Sequence, residues 1–389
     1  MTKFPLEVKL LPVLNDSANG VISIDNIKHL EVGDILGRNP VAPKKELLKR
    51  NITNKNVLIT GAGGSIGSEL ARQIMKLNPK KIVLLDNSEY NLYNIHLELT
   101  SLEMLVDIVP SLCTVTNYYQ LKQIIVGNEI QTIYHAAAYK HVPMVEMNIV
   151  SGTYNNVIGT YNVSKIADEF NVENMVLVST DKAVRPTNIM GASKRMSELI
   201  LQAYSDKSKC CFSMVRFGNV LESAGSVVPL FRNQIKSGGP VTVTHRSITR
   251  YFMSIPEAVE LVLQSGAMAK GGDVFVLDMG EPIKIIDLAY KMIHLSGFTP
   301  IDNENPDGDI NIEYTGLRPG EKLYEELLIG SDVIQSEHPR IMQAKEGKLS
   351  FDEVLYCIKV IKLAREKQDE KVVKELLLKY IDGYTSEAI

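Results

Sequence analysis

Residues 60–67 read TGAGGSIG, and this stretch decides the fold that the sequence predicts. It follows the apolar run 56–60 (NVLIT), which is typical of a buried strand, and it opens the amphipathic stretch 67–77. Gly61 permits a tight turn, Gly64 lets the backbone approach a pyrophosphate, and Gly67 lets the helix pack closely on the strand. Strand, glycine loop and helix together predict a dinucleotide-binding unit, with the phosphates at the helix N-terminus.

The second apolar run, 81–86 (KIVLLD), ends in Asp86, a carboxylate placed to accept hydrogen bonds from a ribose diol. The residues that follow, 87–89 (NSE), include no Lys or Arg for a 2′-phosphate, so NAD is favoured over NADP. The predicted cofactor-binding residues in these segments and after the run at 132–138 are Thr60, Gly61, Gly64, Ser65, Ile66, Gly67, Asp86, Ala136 and Ala137.

Further apolar runs at 132–138, 175–180 and 213–218 alternate with helical patterns at 159–170 and 192–204. Such alternation predicts the α/β class, with a Rossmann-type doubly wound parallel sheet covered on both faces. The alternation fades after about residue 220, which indicates a smaller C-terminal substrate-binding lobe. The domains expected are 1–50, a leader or linker packed on the body; 51–220, the NAD-binding domain; 221–335, mainly the substrate lobe; and 336–389, a C-terminal helical segment.

The composition excludes several classes of protein. The 389 residues are 45% hydrophobic and 23% charged, with a formal net charge of −4, as in an ordinary globular protein. A charge so near neutral argues against nucleic acid or an anionic membrane as the main partner. The four cysteines form no CxxC pattern, so we expect neither a metal site nor a disulfide framework. No stretch of the sequence approaches the length of a membrane span.

The spacing TGxxGxxG resembles that of the extended short-chain dehydrogenase/reductase superfamily. Its members usually carry Tyr-x-x-x-Lys on a helix that follows a strand ending in Ser or Thr. Here the strand ends in Ser179 and Thr180, and the helix carries Met190 in the Tyr position and Lys194 in the Lys position. One interpretation of the missing Tyr is a cofactor-binding protein without activity.

Other segments resemble those of nucleotide-sugar 4,6-dehydratases of bacterial polysaccharide and glycan synthesis. The resemblance is to the configuration-retaining UDP-N-acetylglucosamine 4,6-dehydratases, in which Met commonly replaces the Tyr, and it extends from about residue 30 to residue 385. The segments that carry it are 135–146 (HAAAYKHVPMVE), 179–195 (STDKAVRPTNIMGASKR), 216–231 (RFGNVLESAGSVVPLF), 249–258 (TRYFMSIPEA) and 317–328 (LRPGEKLYEELL).

The resemblance implies oxidation of the sugar at C4, elimination of water across C5 and C6, and return of the hydride to C6. It implies that Asp181 is the acid at the C6 oxygen and Lys182 the base at C5, in a crevice at the carboxyl end of the sheet. Thr180 would bond the 4-oxygen, and Lys194 would hold the nicotinamide ribose. The acceptor of the 4-hydroxyl proton stays open, with a water relayed to Lys194 or Asp181 as one alternative.

A nucleoside diphosphate suits bidentate contact with Arg, and Arg250 and Arg318 lie in the segments that carry the resemblance. The expected partner is a UDP-sugar, and the expected substrate-binding residues are Lys140, Met190, Asn219, Val228, Pro229, Phe231, Arg250, Arg318 and Glu321.

Two other functions compete with the dehydratase. A UDP-sugar 4-epimerase of the same fold needs no Asp-Lys pair and usually keeps the Tyr, whereas a non-catalytic NAD-binding regulatory protein leaves Asp181, Lys182 and Lys194 unexplained. A homo-oligomer is expected from the superfamily. The expected location is the cytoplasm, with the cytosolic part of a membrane-anchored enzyme as the alternative.

Overall fold

The computed structural model describes residues 41–327 and 333–385, together with the short strands Lys9–Leu10 and Lys28–His29. Most of the predicted leader, 1–50, therefore lies outside the described residues. The strands are β1 (Lys9–Leu10), β2 (Lys28–His29), β3 (Asn56–Thr60), β4 (Lys81–Asp86), β5 (Asp107–Leu112), β6 (Thr132–His135), β7 (Asn174–Val178), β8 (Cys211–Arg216), β9 (Asn219–Val220), β10 (Val241–Val243), β11 (Thr249–Arg250), β12 (Phe252–Met253), β13 (Asp273–Leu277), β14 (Ile283–Lys284), β15 (Ile312–Tyr314), β16 (Val333–Gln335) and β17 (Ile341–Ala344).

The helices cover the sheet and form the C-terminal segment. They are α1 (Lys45–Arg50), α2 (Ser65–Met75), α3 (Glu89–Thr100), α4 (Tyr118–Gly127), α5 (Val142–Glu146), α6 (Ile149–Thr153), α7 (Gly159–Glu169), α8 (Ile189–Ser205), α9 (Val227–Lys236), α10 (Ile255–Met268), α11 (Ile285–Leu295), α12 (Phe351–Lys367) and α13 (Glu370–Tyr380).

A nine-stranded sheet in the order β16-β17-β13-β8-β7-β6-β3-β4-β5 organises the larger of two compact units. The strands from β13 to β5 run parallel, and β17 and β16 add antiparallel pairs at one edge. The chain order reverses between β3 and β6, so the loops after these two strands meet at the topological switch point, where such sheets bind ligands. The predicted Rossmann-type fold is confirmed.

The central strands are buried because both faces of the sheet are covered. All five residues of β3 are buried, and so are all but the last of the 17 residues of α8, which packs on β8. An isolated helix cannot keep such an apolar surface in water, so α8 is stabilised by burial against its neighbours. The predicted C-terminal helices are present as α12 and α13, and α12 buries Val354, Ile358 and Ile361 against α8 and α13.

The smaller unit contains Asn219–Ser254 and Gly280–Arg318. Its strands pair as β9 with β12, β10 with β15 and β11 with β14, and α9 and α11 pack together beside β10. The core of this unit includes Val228 and Phe231 from α9.

The division of the chain differs from the predicted one at residues 255–279 and after residue 318. The range 221–335 was predicted to be mainly the substrate lobe, and within it α10 and β13 belong to the larger unit. The reason is that β13 pairs with β8 and continues the parallel sheet. No helix within the described ranges is both long and apolar enough to cross a bilayer.

Candidate active site

The glycine loop after β3 has the tight-turn backbone conformation that its sequence predicts. Gly61 has φ +67°, in the left-handed region, and a Cβ at this position would lie 2.8 Å from the backbone of Ala137. A Cβ on Gly67 would collide with the carbonyl oxygen of Gly61. Both positions therefore require glycine, because a side chain would push the loop away from β6 or away from α2.

The N-terminus of α2 follows this loop directly. Gly64 is the N-cap residue, and within the described chain no side chain caps the helix. Ser65 and Ile66 lie in the first turn, whose N–H groups and partial positive charge suit a diphosphate. The predicted phosphate-binding residues are thus brought together.

Asp86 is fixed beside the glycine loop. Its Oδ2 accepts the N–H of Gly63 at 2.9 Å, and its Oδ1 accepts the N–H of Ser88 at 2.9 Å. A carboxylate oxygen has a second lone pair, so Asp86 can still accept hydrogen bonds from the hydroxyls of a ribose.

An open cleft runs along the loops after β3, β4 and β6. Of the predicted cofactor residues, Gly61, Gly64, Asp86, Ala136 and Ala137 line it. The sequence analysis missed other lining residues: Leu85, Asn87, Ser88, Asn91, Cys113, Thr114, Val115, Ala138, Tyr139 and Asn155.

Thr114 and Val115 were missed because they follow β5, the edge strand of the sheet. The six residues of β5 (DIVPSL) are exposed or only half-buried, so they lack the continuous apolar pattern that revealed the central strands. One signal for these residues was available: Cys113–Val115 come directly after the short stretch 107–112, which follows the second βα unit.

Thr60 lies at the end of β3 but does not line the cleft. It is fully buried, its hydroxyl contacts His135 Nδ1 at 2.6 Å, and it accepts the N–H of Ala137 at 3.3 Å. Thr60 therefore acts on the cleft through the backbone of Ala137.

The tautomer of His135 follows from its two threonine neighbours. Thr160 donates its hydroxyl proton to the carbonyl of Asn156 at 2.7 Å, so the contact of 3.1 Å between His135 Nε2 and Thr160 needs the imidazole as donor. His135 Nδ1 then accepts from Thr60. Burial, with repulsion from Lys194, lowers the pKa of His135 to about 3, so this ring is neutral and structural.

Thr180, Asp181 and Lys182 form a turn at the carboxyl end of β7. The Thr180 hydroxyl accepts the Lys182 N–H at 3.3 Å and donates to Asp181 Oδ1 at 2.9 Å. Lys182 Nζ donates to the same Oδ1 at 3.0 Å. Asp181 is 1% exposed, and its Oδ2 has no hydrogen-bond partner among the described residues. A buried acceptor without a partner is costly unless a ligand completes it.

Glu325 is a second carboxylate beside Lys182, and the sequence analysis missed it. Its Oε1 lies 3.4 Å from Lys182 Nζ, and its side chain is 3% exposed. Glu326, the next residue, is half exposed and pairs with Arg185 and Lys322 instead. The sequence offered only two adjacent glutamates after the RPGE segment, with nothing to show which one is buried.

Lys194 reaches the same region from α8. It is buried, and its Nζ donates to the carbonyl of Val178 at 2.7 Å. Burial lowers its pKa to about 8, and the carboxylate of Glu198 opposes this shift. Met190 is 3% exposed and packs within the hydrophobic core, and its thioether can neither give nor take a proton.

The start of α8 is held close to the Thr180–Lys182 turn. Asn188 caps the helix by accepting the N–H of Gly191 at 2.8 Å, and a Cβ on Gly191 would collide with the carbonyl oxygen of Lys182. This contact sets where Met190 and Lys194 lie relative to the turn.

A buried ion cluster holds the residue before this turn. Ser179 donates to Glu198 at 2.6 Å, and Glu198 in turn accepts two hydrogen bonds from Arg216 at 2.8 and 2.6 Å. Glu346 and Arg195 complete the cluster by pairing with Arg216 and Glu198 respectively. The cluster thus joins α8, β8 and the chain after β17 behind the end of β7.

Lys140 lies in the loop after β6, and the backbone of its neighbour Tyr139 is clamped by Asn156. This asparagine accepts the Tyr139 N–H at 2.8 Å and donates to the Tyr139 carbonyl and to Ser193. Asn156 belongs to a π-helical turn, Tyr154–Ile158, a feature often found at functional sites. Desolvation and the nearby ammonium of Lys182 lower the pKa of Lys140.

The contacts of the remaining predicted substrate residues give less information about a role in binding. Asn219 and Arg250 belong to the smaller unit, where the backbone of Asn219 pairs with Tyr251 and Arg250 Nη1 donates to the Thr249 carbonyl. Val228 and Phe231 are fully buried there, Pro229 is half-buried and Arg318 is exposed. Glu321 is half-buried in the larger unit. Their roles toward a nucleotide stay predictions.

Residues 57–346 match the family model described as "Polysaccharide biosynthesis protein". The chain is 47% identical over 376 residues to the capsular polysaccharide biosynthesis protein CapD of Staphylococcus aureus, covering 96% of this chain. It is 46% identical to the probable polysaccharide biosynthesis protein EpsC of Bacillus subtilis over 84% of this chain. The chain spans only 61% of CapD and 54% of EpsC. A UDP-glucose 4-epimerase of Rickettsia bellii is 32% identical over 73% of this chain and 80% of its own length.

Solved structures show the same fold. Pen from Bacillus thuringiensis superposes with a TM-score of 0.65 at 32% identity, covering 77% of this chain and 90% of Pen. A double mutant of DesIV, a dTDP-glucose 4,6-dehydratase of Streptomyces venezuelae, solved with NAD bound, superposes with a TM-score of 0.61 at 20% identity. That alignment covers 80% of this chain and 97% of DesIV.

Proposed function

This chain belongs to the polysaccharide biosynthesis protein family, and we propose that it is an NAD-dependent 4,6-dehydratase of nucleotide sugars acting in polysaccharide synthesis. One observation carries the proposal. A buried carboxyl group and a primary amine, Asp181 and Lys182, lie 3.0 Å apart at the carboxyl end of a Rossmann sheet. An elimination needs such an acid and base on neighbouring carbons of the substrate.

The cleft residues fit NAD. The glycine loop leaves room for a diphosphate against the start of α2, and Asp86 offers a carboxylate to the adenosine ribose. A 2′-phosphate would meet that carboxylate, which favours NAD over NADP. Lys194 would hold the nicotinamide ribose, and the Ala136–Ala137 backbone would line the middle of the cofactor. When bound, NAD would supply the hydride acceptor for C4 of the sugar and the hydride donor for C6.

Each residue of the Thr180–Lys182 turn has a proposed task. A ketone at C4 makes the C5 proton acidic, and Lys182 removes that proton. Asp181 protonates the C6 oxygen as the C5–C6 double bond forms and water leaves. Thr180 bonds the 4-oxygen. The unpartnered Oδ2 of Asp181 supports this assignment, since a substrate hydroxyl would satisfy it.

The proposed substrate is UDP-N-acetylglucosamine, and this assignment rests on the resemblance of the sequence segments. Lys140 and Met190 would approach the sugar. Arg250, Arg318 and Asn219 would contact the diphosphate, Glu321 the uridine ribose, and Val228, Pro229 and Phe231 the uracil. A homo-oligomer is the proposed assembly.

A UDP-sugar 4-epimerase is the second candidate, favoured by the likeness to the Rickettsia bellii epimerase. An epimerase moves hydride only at C4, so it has no use for an acid and a base paired at C5 and C6. A regulatory protein that only binds NAD has no use for the buried Asp181, Lys182 and Glu325 group either. The dehydratase is therefore the stronger proposal.

Mass spectrometry of UDP-N-acetylglucosamine incubated with the chain and NAD tests the proposal. The expected product has lost one water and carries a carbonyl that reacts with hydroxylamine. Unchanged mass with conversion to UDP-N-acetylgalactosamine would instead establish the epimerase. No change in a panel of UDP- and dTDP-sugars, while NAD binds, would contradict both enzymes and leave the regulatory protein.

A further inference from the structure

Glu146 ends the segment 135–146, and the proposed reaction gives it no task. It is the last residue of α5, and its Oε1 accepts the N–H of Ile189, the first residue of α8, at 2.6 Å. Ile189 is 1% exposed, so its N–H has little access to water, and a helix offers no internal partner to its first N–H groups. The helix dipole also favours a carboxylate at this end. Glu146 thus holds the start of α8 to the chain after β6.

Asn156 makes a second connection between the same two elements. It accepts the Tyr139 N–H at 2.8 Å and donates to the Ser193 hydroxyl of α8 at 3.0 Å. Its side chain is buried, so these hydrogen bonds are shielded from water. The stretch between Tyr139 and Glu146 is therefore attached to α8 near both of its ends.

The carboxylate of Glu146 also faces a positive charge. Burial raises the pKa of Glu146, whereas the Ile189 N–H and the ammonium of Lys374 oppose this shift. Lys374 lies on α13, which carries no residue of the proposed site. The hydrogen bond to Ile189 is therefore the interaction of Glu146 that reaches the site.

The two elements joined in this way carry residues with different proposed ligands. Lys140, within the attached stretch, is proposed to approach the sugar, and Lys194, in the first half of α8, to hold the nicotinamide ribose. Hydride passes between sugar and nicotinamide only when both are correctly placed, and a misplacement of about 1 Å can lower the rate about 100-fold. The hydrogen bond of Glu146 lies between the two elements that must keep this alignment.

We infer that Glu146 is a positioning residue, which sets where Lys140 lies relative to Lys194 through its hydrogen bond to the start of α8. This inference rests on the proposed dehydratase function. Glu146 touches neither the sugar nor the cofactor in this role, and it exchanges no proton with them.

Two substitutions separate the contact of Glu146 from its charge. Glu146→Gln keeps the length of the side chain and an oxygen that accepts the Ile189 N–H, whereas Glu146→Asp keeps the charge but is one methylene shorter. For dehydration of UDP-N-acetylglucosamine, we expect kcat to stay within about threefold of the wild-type value in Glu146→Gln and to fall about 10- to 100-fold in Glu146→Asp and Glu146→Ala. NAD affinity by calorimetry should stay within about threefold in all three, because the glycine loop is unchanged.

Glu353→Ala is the matched control. Glu353 accepts the Ser350 N–H at 2.9 Å at the N-terminus of α12, a helix that carries no residue of the proposed site. Its loss should lower the thermal midpoint, as loss of Glu146 does, and leave kcat unchanged. Rescue by Glu146→Gln together with an unaffected control therefore separates a positioning role from a loss of helix stability.

Full activity in Glu146→Asp with loss of activity in Glu146→Gln overturns the inference, because the charge would then be what matters. Unchanged kcat in Glu146→Ala, or an equal kcat loss in Glu353→Ala, overturns it as well. A wild-type chain that removes no water from any nucleotide sugar contradicts the proposed function itself, and the inference falls with it. A wild-type chain that removes water while the Glu146 variants behave alike contradicts the inference alone.

Discussion

Glu325 and Glu326 are adjacent in the chain but occupy opposite environments. Glu325 is buried beside Lys182, and Glu326 pairs with Arg185 and Lys322 at the surface. Substituting each glutamate in turn therefore distinguishes a role of Glu325 at the site from the general effect of removing a negative charge.

We therefore expect Glu325→Gln to lower kcat for dehydration by about 10- to 100-fold, because Lys182, the proposed base, loses a buried carboxylate that lies 3.4 Å from its Nζ. Reduction of the cofactor by the sugar should continue, since hydride leaves C4 before Lys182 acts on the C5 proton. Stopped-flow absorbance and product analysis measure the two steps separately. Glu326→Gln is the matched control, and equal kcat losses in both variants would contradict the role of Glu325.

The pH dependence should report Lys194. Its pKa is lowered to about 8 by burial, so its ammonium form is present below that pH and is lost as the pH rises through it. The ammonium favours loss of the 4-hydroxyl proton, so kcat/KM should fall tenfold per pH unit well above pH 8. Lys194→Arg, which stays charged, should lack this alkaline limb. The same limb in both proteins would assign it to another group.

At the scale of the elements, the glycine loop requires one residue type, glycine, at position 61. Gly61→Ala places a side chain at φ +67° and 2.8 Å from the Ala137 backbone, so the loop must move. The expected cost is about 1–3 kcal/mol of unfolding free energy, with a fall in NAD affinity of about tenfold or more. Gly127→Ala, at the end of α4 with no atom within 4 Å of the added Cβ, is the control. Calorimetry with NAD showing equal affinity in both variants would contradict the placement of the cofactor.

The central elements could be predicted because buried parallel strands are continuous apolar runs. The predicted runs at 56–60 and 81–86 are β3 and β4 with unchanged bounds. Strand β5 was not predicted because an edge strand has no such pattern, and the pairing of β13 with β8 was not predicted because strand order is invisible to local sequence.

For the site too, some features follow from local sequence and others depend on packing between distant segments. Thr180, Asp181 and Lys182 are neighbours in sequence, so their proximity and their place after β7 followed from one motif. The partners Glu325 and Glu346 come from distant segments, and only the fold brings them to Lys182 and Arg216. Their contacts depend on packing, which a single sequence does not reveal.

At the scale of the larger unit, the buried ion cluster joins elements that are far apart in the chain. Glu198 from α8 and Glu346 from the segment after β17 both pair with Arg216, which is fully buried in β8. Removing Glu198 would leave Arg195 and Arg216 to share the single carboxylate of Glu346, and removing one partner of a buried ion pair typically costs about 3–5 kcal/mol. The cluster is thus a structural connection between the end of the sheet and the helix that carries Lys194.

Glu198→Gln should lower the unfolding free energy by about that amount at neutral pH. The arginines hold the pKa of Glu198 at about 2, below its ordinary value, so its contribution is present above pH 4.5 and is lost as the pH falls toward 2. Urea unfolding from pH 7 to pH 3 should therefore show a weaker acid dependence in Glu198→Gln than in the wild type. Glu98→Gln, which removes an exposed partner of Arg72, should cost about 1 kcal/mol or less. Equal losses of unfolding free energy in Glu198→Gln and Glu98→Gln would contradict the stabilising role of the cluster.

The central claim concerns the molecule as a catalyst: water is eliminated through a carbanion at C5, with Lys182 as the base. The most direct measurement is proton NMR and mass spectrometry of UDP-N-acetylglucosamine turned over in D₂O by the NAD-loaded chain. The account predicts a 4-keto-6-deoxy product that has lost water and carries deuterium at C5 alone, and no product or C5 exchange with Lys182→Ala. A product of unchanged mass, or full turnover by Lys182→Ala, would contradict it.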